Sequence, residues 1–410
     1  MLSRIIPKTK EKIPILGFGC MRLVEKNGSI DEESSKALVR YAIEKGVTHL
    51  DTAWMYHRGQ SEPFLGRALA DGYRERVTLS TKLPHWLVKS REDMDFFLNS
   101  QLDRLKTGYI DYYLVHSVGG ESWNRMKALG VTEFLDQAKK DGRIRNAGFS
   151  FHEGTESFKK IVDDYPWDCC LIQYNIIDEY SQAGRDGLKY AAEKDLAVFI
   201  MEPLRGGKLA KNLPEEINRI LDQAEIKRTP AEWALRWLWD QPEVTMVLSG
   251  MNDISQVDEN CEIAETAYPE SLTAKEYEII RNVAETWRSL MKVPCTGCQY
   301  CMPCPFGVNI PSCFEMYNNL FMFGEPWKTN AVYAIRLGGV MGGYSVASAC
   351  IGCESCVSAC PQGIDIPGRL KEVSERLEGP FYHTLRLGAK VALPVMRRTA
   401  FFKKRFLPDD

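Results

Sequence analysis

The chain reads as an α/β protein: a closed (β/α)8 barrel, the TIM-barrel architecture, followed by a small cysteine-rich domain. Three observations predict this. From residue 16 to about 265, short apolar runs alternate with amphipathic helical patterns, and strand–helix alternation means a parallel sheet. The apolar runs number eight, the strand count at which such a sheet closes on itself. Beyond the barrel, five cysteines lie between Cys295 and Cys313 and four between Cys350 and Cys360.

The predicted strands are Leu16–Cys20, Val47–Leu50, Val77–Thr81, Tyr112–Val115, Ile144–Gly148, Cys169–Gln173, Ala197–Met201 and Val244–Leu248. Each is short and apolar, as a strand buried on both faces must be. Between them the helical pattern falls at 31–45, 61–70, 91–106, 125–140, 155–163, 184–194 and 230–240. Asp31 to Glu33 is an acidic helix start, and Thr229-Pro230 is an N-cap followed by Pro at the first helical position. A further helix is expected over 271–292, with Leu272, Tyr277, Ile280, Ala284 and Trp287 on one face. These patterns divide the chain into a barrel (1–270), a connecting helix (271–293), the cysteine-rich domain (294–370) and a C-terminal tail (371–410).

Composition narrows the class. The 410 residues carry a formal charge of −3, with 44% hydrophobic and 26% charged residues, which is ordinary globular usage. Near-neutral charge argues against a nucleic-acid binder. A membrane helix needs about 18 or more apolar residues in a row, and no such run is present. The N-terminus, MLSRIIPKTKEKIP, lacks the apolar core of a signal peptide. The expectation is a cytoplasmic protein, and in a reducing compartment clustered cysteines point to metal or redox chemistry.

The strand ends of the barrel hold the candidate catalytic groups. Asp51 and Tyr56 follow the second strand, in GVTHLDTAWMYHRGQSE. Lys82 ends the third, in LSTKLP, and His116 ends the fourth, in DYYLVHS. Alone, each has a bland explanation as a surface or capping residue. Four such groups at successive C-terminal strand ends, where a barrel does its chemistry, are hard to explain that way.

Over roughly residues 1–265 the chain resembles the aldo-keto reductases. The matching pieces are LGFGCMRL, HLDTAWMYHRGQSEPFLGRAL, STKLP, DYYLVHS, RIRNAGFSFH, QYNI and EPLRGGKLA. The resemblance implies a catalytic tetrad of Asp51, Tyr56, Lys82 and His116. Tyr56 donates a proton to a carbonyl oxygen as hydride arrives at carbon. A phenol titrates near pH 10, and Lys82 is expected to bring Tyr56 down. Asp51 holds Lys82, and His116 orients the carbonyl. For an NADPH or NADH cofactor the resemblance implies contacts from Ser150 and Gln173, with Asn175 in support, and from Met201, Pro203, Leu204, Gln256, Glu259 and Asn260. Two positions depart from the family pattern. Met201 stands where an aromatic commonly stacks on the nicotinamide, followed by Glu202 in place of a small polar residue. Gln256 stands where an Arg often grips the 2′-phosphate, and a neutral amide cannot make that charged bidentate contact.

The cysteine runs are CTGCQYCMPCPFGVNIP and CIGCESCVSACPQGIDIP. The second has the C-x2-C-x2-C-x3-C-P spacing and resembles bacterial two-cluster ferredoxins, in which the fourth Cys of each run ligates the other cluster. The resemblance implies a small α-rich, ferredoxin-like domain holding two [4Fe–4S] clusters. One falls to Cys295, Cys298, Cys301 and Cys360, the other to Cys304, Cys350, Cys353 and Cys356. The first run is one residue shorter before its last Cys, which leaves Cys313 as an alternative ligand. Structural zinc is the competing reading. It usually pairs two C-x2-C units a dozen or more residues apart, and Cys-Pro endings without nearby His favour iron–sulfur.

From Phe381 onward seven Lys/Arg meet no acid before Asp409. Such a tail suits an anionic membrane surface, an acidic redox partner such as a ferredoxin, or packing on its own protein. Hydride carriers move two electrons and clusters move one, and a flavin is the usual go-between. The expected function is reduction of an aldehyde or ketone by NAD(P)H, in a chain that also carries the clusters. The alternative is a ferredoxin-linked electron-transfer oxidoreductase whose clusters relay electrons to the barrel site through a flavin. Trp54, Trp86 and Trp123 are expected either to line an apolar pocket or to pack the rim.

Overall fold

The structure is a computed structural model and describes residues 1–295, 301–324, 326–339, 344–360 and 362–388. It divides into two compact units, Met1–Ala284 and a second beginning at Glu285.

The first unit is a closed parallel barrel. Its strands are β1 (Leu16–Gly19), β2 (His49–Asp51), β3 (Thr78–Leu83), β4 (Ile110–Val118), β5 (Ile144–Phe151), β6 (Cys169–Gln173), β7 (Ala197–Met201) and β8 (Val244–Ser249). They pair in chain order, and β8 returns to β1 through Val247 opposite Leu16. Alternate residues point inward: Tyr112 and Leu114 on β4, Cys169 and Leu171 on β6, Phe199 on β7, and Met246 and Leu248 on β8 form one buried cluster. A Cβ at Gly17 would sit 2.7 Å from Leu248 and 3.0 Å from the Met246 sulfur, so β1 passes close only because that position has no side chain.

Ile6 and Ile13 join the same cluster. Ile13 lies within, and Ile6 just after, the strands of an N-terminal hairpin of Ser3–Ile5 against Lys12–Pro14, which the sequence does not predict because strands of three residues carry too little periodicity. Arg4 donates to the carbonyls of Trp239, Gln241 and Val244. The hairpin therefore plugs the end of the barrel where β8 begins and leaves the C-terminal strand ends as the open face.

Seven helical stretches were expected between the strands. Six appear as single helices near their expected bounds: Glu32–Glu44, Ser61–Ala68, Arg91–Leu105, Thr155–Asp164, Gly184–Glu193 and Pro230–Trp239. Asp31 caps the first by accepting from Ser34 N–H, and Thr229 caps the last by accepting from Glu232 N–H. The stretch 125–140 is a correction. It is two helices, Gly120–Ala128 and Val131–Lys140, broken at Gly130 with φ +80°, a left-handed conformation a continuing helix cannot contain. Helices Glu215–Asp222 and Ile254–Thr266 were not anticipated. The connecting helix runs Ala274–Ser289.

The second unit is built from helices Ile310–Phe323, Pro326–Arg336 and Ile366–Leu377. Phe314, Tyr317, Tyr333, Leu370 and Val373 form its core, and Cys295, Cys301, Cys304, Cys350, Cys356 and Cys360 pack against it. Each cysteine run feeds a helix through the same device. Asn309 accepts from Ser312 N–H ahead of Pro311, and Asp365 accepts from Gly368 N–H ahead of Pro367. Cys298 and the tail beyond residue 388 lie outside the described residues.

Trp167 anchors the wall behind β5. It is fully buried, with ring centroids 5.2 Å from Trp123, 5.0 Å from Phe149 and 4.7 Å from Tyr165. Its indole N–H donates to Ile161 O at 2.8 Å. Trp167→Ala is expected to destabilise the barrel by about 3–5 kcal/mol, read as a lower urea midpoint by far-UV circular dichroism.

Candidate active site

Strand register builds the site. Asp51, the last residue of β2, lies opposite Ser80 on β3, and Lys82 is two residues farther on, so it shares the Ser80 face. Lys82 Nζ donates to Asp51 Oδ1 at 2.9 Å, to Asp51 Oδ2 at 2.7 Å and to Thr52 O at 2.7 Å. Ser80 Oγ donates to Asp51 Oδ1 at 2.6 Å. Behind it, His49 spans Ser80 Oγ at 3.2 Å and Thr78 Oγ1 at 2.9 Å. Burial would strip the Lys82 proton, but the Asp51 carboxylate and then Tyr56 outweigh it and hold the ammonium above its ordinary value.

Tyr56 completes the set. Lys82 Nζ donates to its hydroxyl at 3.3 Å. An ammonium can only donate, so the phenol oxygen accepts there and its own proton is left for another acceptor. Lys82 pulls the Tyr56 phenol down, as expected from the sequence. The net direction is nevertheless upward, because burial in the site is the larger effect. This corrects the expectation of a lowered value: Lys82 offsets part of the desolvation rather than exceeding it.

His116, on β4, faces the Tyr56 ring edge-on with centroids 6.3 Å apart. Burial, then the Lys82 charge and the neighbouring His152 and His85, press its imidazole down to about 2. It is therefore neutral at physiological pH. Among the described residues its buried Nδ1 has no hydrogen-bond partner. Trp86 packs 5.1 Å from His116 and is 40% exposed, so it lines the mouth. Trp54 is half-buried against Phe97 at 5.0 Å. Trp123 is buried and donates to Asp164 at 2.9 Å; it is a packing residue.

The remaining predicted contacts fall along the ends of β5 to β8. Ser150 Oγ accepts from Ser117 N–H at 2.7 Å. Gln173 donates through Nε2 to Asp178 at 2.9 Å. The same Asp178 oxygen takes Asn175 Nδ2 at 2.9 Å and Arg205 Nε at 3.1 Å. Met201 closes β7, Pro203 is buried and Leu204 half-buried. Glu202 adopts a left-handed backbone (φ +53°) and pairs with Arg22 at 3.1 Å. Gln256 is spent on Asn252, accepting from its N–H at 3.1 Å and donating to its side chain at 2.9 Å. Glu259 accepts from Thr229 Oγ1 at 2.5 Å, and Asn260 donates into Ser249 Oγ at 3.0 Å.

Among the cysteines of the two runs, Cys295, Cys301, Cys304, Cys350, Cys356 and Cys360 are partly buried against the core of the second unit. Burial first, and then the charges of Cys350, Cys304 and Cys353, push the Cys356 thiol up. Cys313 is elsewhere. It is fully buried, 3.9 Å from the Tyr333 hydroxyl and 3.8 Å from Ser345 O, and burial raises its thiol to about 12. It behaves as a core thiol. Among the described residues no three His, Cys, Asp or Glu side chains converge to hold a metal ion.

The sequence model of the aldo/keto reductase family matches residues 15–285. The chain belongs to this family. It is an NAD(P)-dependent oxidoreductase of the aldo-keto reductase type, extended by a segment, residues 294–364, that matches the 4Fe-4S dicluster domain. An aldo-keto reductase [NADP(+)] of Schizosaccharomyces pombe is 25% identical over 292 residues, covering 61% of this chain and 83% of the relative. An aldehyde reductase of Saccharomyces cerevisiae is 37% identical over 259 residues, covering 56% of this chain and 76% of the relative. The holo form of an aldo-keto reductase from Bacillus halodurans superposes with a TM-score of 0.59 at 26% identity, covering 69% of this chain and 96% of that one.

Sequence reasoning missed the residues that support this aldo-keto reductase site: His49 and Ser80 behind Asp51, and Asp178 behind Gln173 and Asn175. Ser80 was legible in principle, two residues before Lys82 on one strand face. Asp178 was not, because a loop decides its direction. His49 also makes a prediction. It is fully buried, and burial and the Lys82 charge lower it to about 3. The unfolded chain therefore binds a proton below about pH 6.5 that the folded barrel refuses, so stability falls as pH drops from 6.5 toward 3. From pH 6.5 to 5 this one residue should cost about 2 kcal/mol. His49→Gln should remove that part of the acid sensitivity in urea titrations at the two pH values.

Proposed function

We propose that the barrel reduces an aldehyde or ketone with hydride from NAD(P)H, with Tyr56 as the proton donor, and that the second unit carries two [4Fe–4S] clusters. The observation that carries the barrel reading is Lys82 Nζ. It bridges the Asp51 carboxylate at 2.7 Å and the Tyr56 hydroxyl at 3.3 Å, with the neutral His116 facing that hydroxyl's ring.

Residues at the site fit a nicotinamide. A primary carboxamide needs one acceptor and one donor. With Gln173 Nε2 committed to Asp178 and Ser150 Oγ accepting from Ser117, Gln173 Oε1 and the Ser150 hydroxyl proton supply that pair. Met201, Pro203 and Leu204 would offer the ring an apolar wall, and Glu259 and Asn260 would hold the adenine end. Gln256 offers no cation to a 2′-phosphate, so NADH is accepted alongside NADPH. When bound, the nicotinamide supplies the hydride. The His116 ring N–H orients the carbonyl oxygen and Tyr56 O–H gives it a proton, the two donors together stabilising the developing oxyanion. Lys82 stabilises the tyrosinate left behind. Asp51, held by Ser80, keeps the ammonium between them.

Thiolate donors also fit the clusters. Cys304, Cys350 and Cys353 each act electrostatically on Cys356, and we assign these four to one cluster. Cys295, Cys298, Cys301 and Cys360 are assigned to the other. Such centres exchange single electrons. The basic stretch from Phe381 suits docking of an acidic one-electron carrier such as a ferredoxin. We keep the working division of the chain at 1–270, 271–293, 294–370 and 371–410.

The test is an anaerobic spectrum with iron, sulfide and flavin assays, before and after NADPH. About eight irons per chain are expected for two clusters. Bleaching of the cluster band by NADPH, with flavin present, would favour clusters wired to the barrel site. Clusters that stay oxidised while an aldehyde is reduced would show the two halves to be chemically separate. Tyr56→Phe should lower kcat by about 10²–10⁴-fold; full activity in that variant would remove Tyr56 from the mechanism. Cys304→Ala should lower the bound iron without lowering barrel turnover, measured by iron assay beside the NADPH–aldehyde rate.

A further inference from the structure

The Tyr56 loop is not held by its own conformation. The two residues after Tyr56, His57 (φ +50°) and Arg58 (φ +57°), are both left-handed without being glycine. Such residues persist only where surrounding contacts impose them. One contact is His57 itself, whose Nε2 accepts from Leu23 N–H at 3.2 Å and whose Nδ1 pairs with Glu25 at 2.7 Å. A second is Arg104, from helix Arg91–Leu105.

Arg104 Nη2 donates to Trp54 O at 3.4 Å and to Gly59 O, carbonyls on either side of Tyr56 in the chain. Its guanidinium lies 4.1 Å over the Trp54 ring. Its Nε pairs with Glu62 at 3.3 Å, a carboxylate with no solvent exposure. Glu62 Oε1 accepts from Thr81 Oγ1 at 2.6 Å and from Gln101 Nε2 at 2.6 Å. Gln101 Nε2 also donates to Lys82 O at 3.1 Å. A single buried network therefore joins the loop that carries Tyr56 to the strand that carries Lys82. A Cβ at Gly66 would meet Arg104 O at 2.4 Å, so the backbone at Arg104 is packed directly against helix Ser61–Ala68.

We propose that Arg104, locked by Glu62, is a positioning residue that fixes Tyr56 against Lys82 by clamping the Trp54 and Gly59 carbonyls. The proposal rests on the reading of Tyr56 as proton donor. Lys can replace the charge but not the fork that reaches two carbonyls and Glu62 together, so Arg104→Lys should loosen the loop without leaving Glu62 unpaired.

The test uses the full chain purified anaerobically, with NADPH and a panel of aromatic and aliphatic aldehydes. The proteins are wild type, Tyr56→Phe, Arg104→Lys, Arg104→Met with Glu62→Gln, and Tyr56→Phe with Arg104→Lys. Misplacement of a reacting group by about 1 Å costs about 100-fold, and Arg104→Lys should approach that loss in kcat. Aldehyde KM and NADPH affinity, read by tryptophan fluorescence quenching, should stay within about threefold. The alkaline limb of its kcat profile should move to higher pH, because Tyr56 loses part of the Lys82 stabilisation. In the Tyr56→Phe background Arg104→Lys should cost nothing further, as expected of two residues acting through one hydroxyl. The Arg104→Met, Glu62→Gln variant removes both charges of the pair and should reproduce the kcat loss with a native circular dichroism spectrum. Wild-type kcat and pH profile in folded Arg104 variants, with Tyr56→Phe inactive, would overturn this proposal alone. So would losses that multiply in the Tyr56→Phe background. Full turnover by Tyr56→Phe would instead overturn the underlying assignment of Tyr56.

Discussion

The site depends on one buried ammonium. Lys82 is 1% exposed and has left water entirely, a transfer that costs several kcal/mol unless its donors are all met. They are met by the two Asp51 oxygens, Thr52 O and the Tyr56 hydroxyl. Removing any one partner leaves the charge short of a contact in a medium that cannot replace it. The same low dielectric is what lets the ammonium reach Tyr56 and silence His116. Burial is the larger influence on both neighbours; the ammonium opposes it on the phenol, pulling downward, and adds to it on the imidazole, which stays neutral.

A barrel suits this arrangement because register is rigid. Asp51, Ser80 and Lys82 are placed by hydrogen-bonded strands whose inner faces are filled by Tyr112, Leu114, Leu171, Phe199 and Met246. Loops supply what strands cannot. Tyr56 sits on a loop, and its neighbours His57 and Arg58, with Ser117, Glu202 and Arg205, are left-handed non-glycine residues around the same mouth. Strain collected at a site in this way is sustained by the scaffold behind it. Behind the Tyr56 loop that scaffold includes the Glu62, Gln101 and Thr81 network.

The second unit follows a different logic. Its core is small, and six of its cysteines pack against that core without being buried as Cys313 is. A domain of this size gains from ligands that tie distant segments together. The Asx-Ile-Pro caps at Asn309 and Asp365 begin a helix at the same distance beyond each cysteine run.

The sequence by itself determined the eight strands, the tetrad residue types and the two cysteine runs, because periodicity, strand-end chemistry and spacing are local properties. The Asp31 and Thr229 caps were legible for the same reason. Tertiary structure decided the rest. Gly130 splits 125–140 because a left-handed turn outweighs an apolar periodicity that continues through it. Trp123 went to the core because a helix pair needed filling, not because its neighbours in sequence said so. The rise in Tyr56 is a burial effect, and burial exists only once the loops have closed over the strand ends. Arg104, Glu62 and Asp178 are ordinary charged residues in the sequence. What they do depends on carbonyls and carboxylates brought to them from helices and loops up to fifty residues away, contacts that only the closed barrel creates.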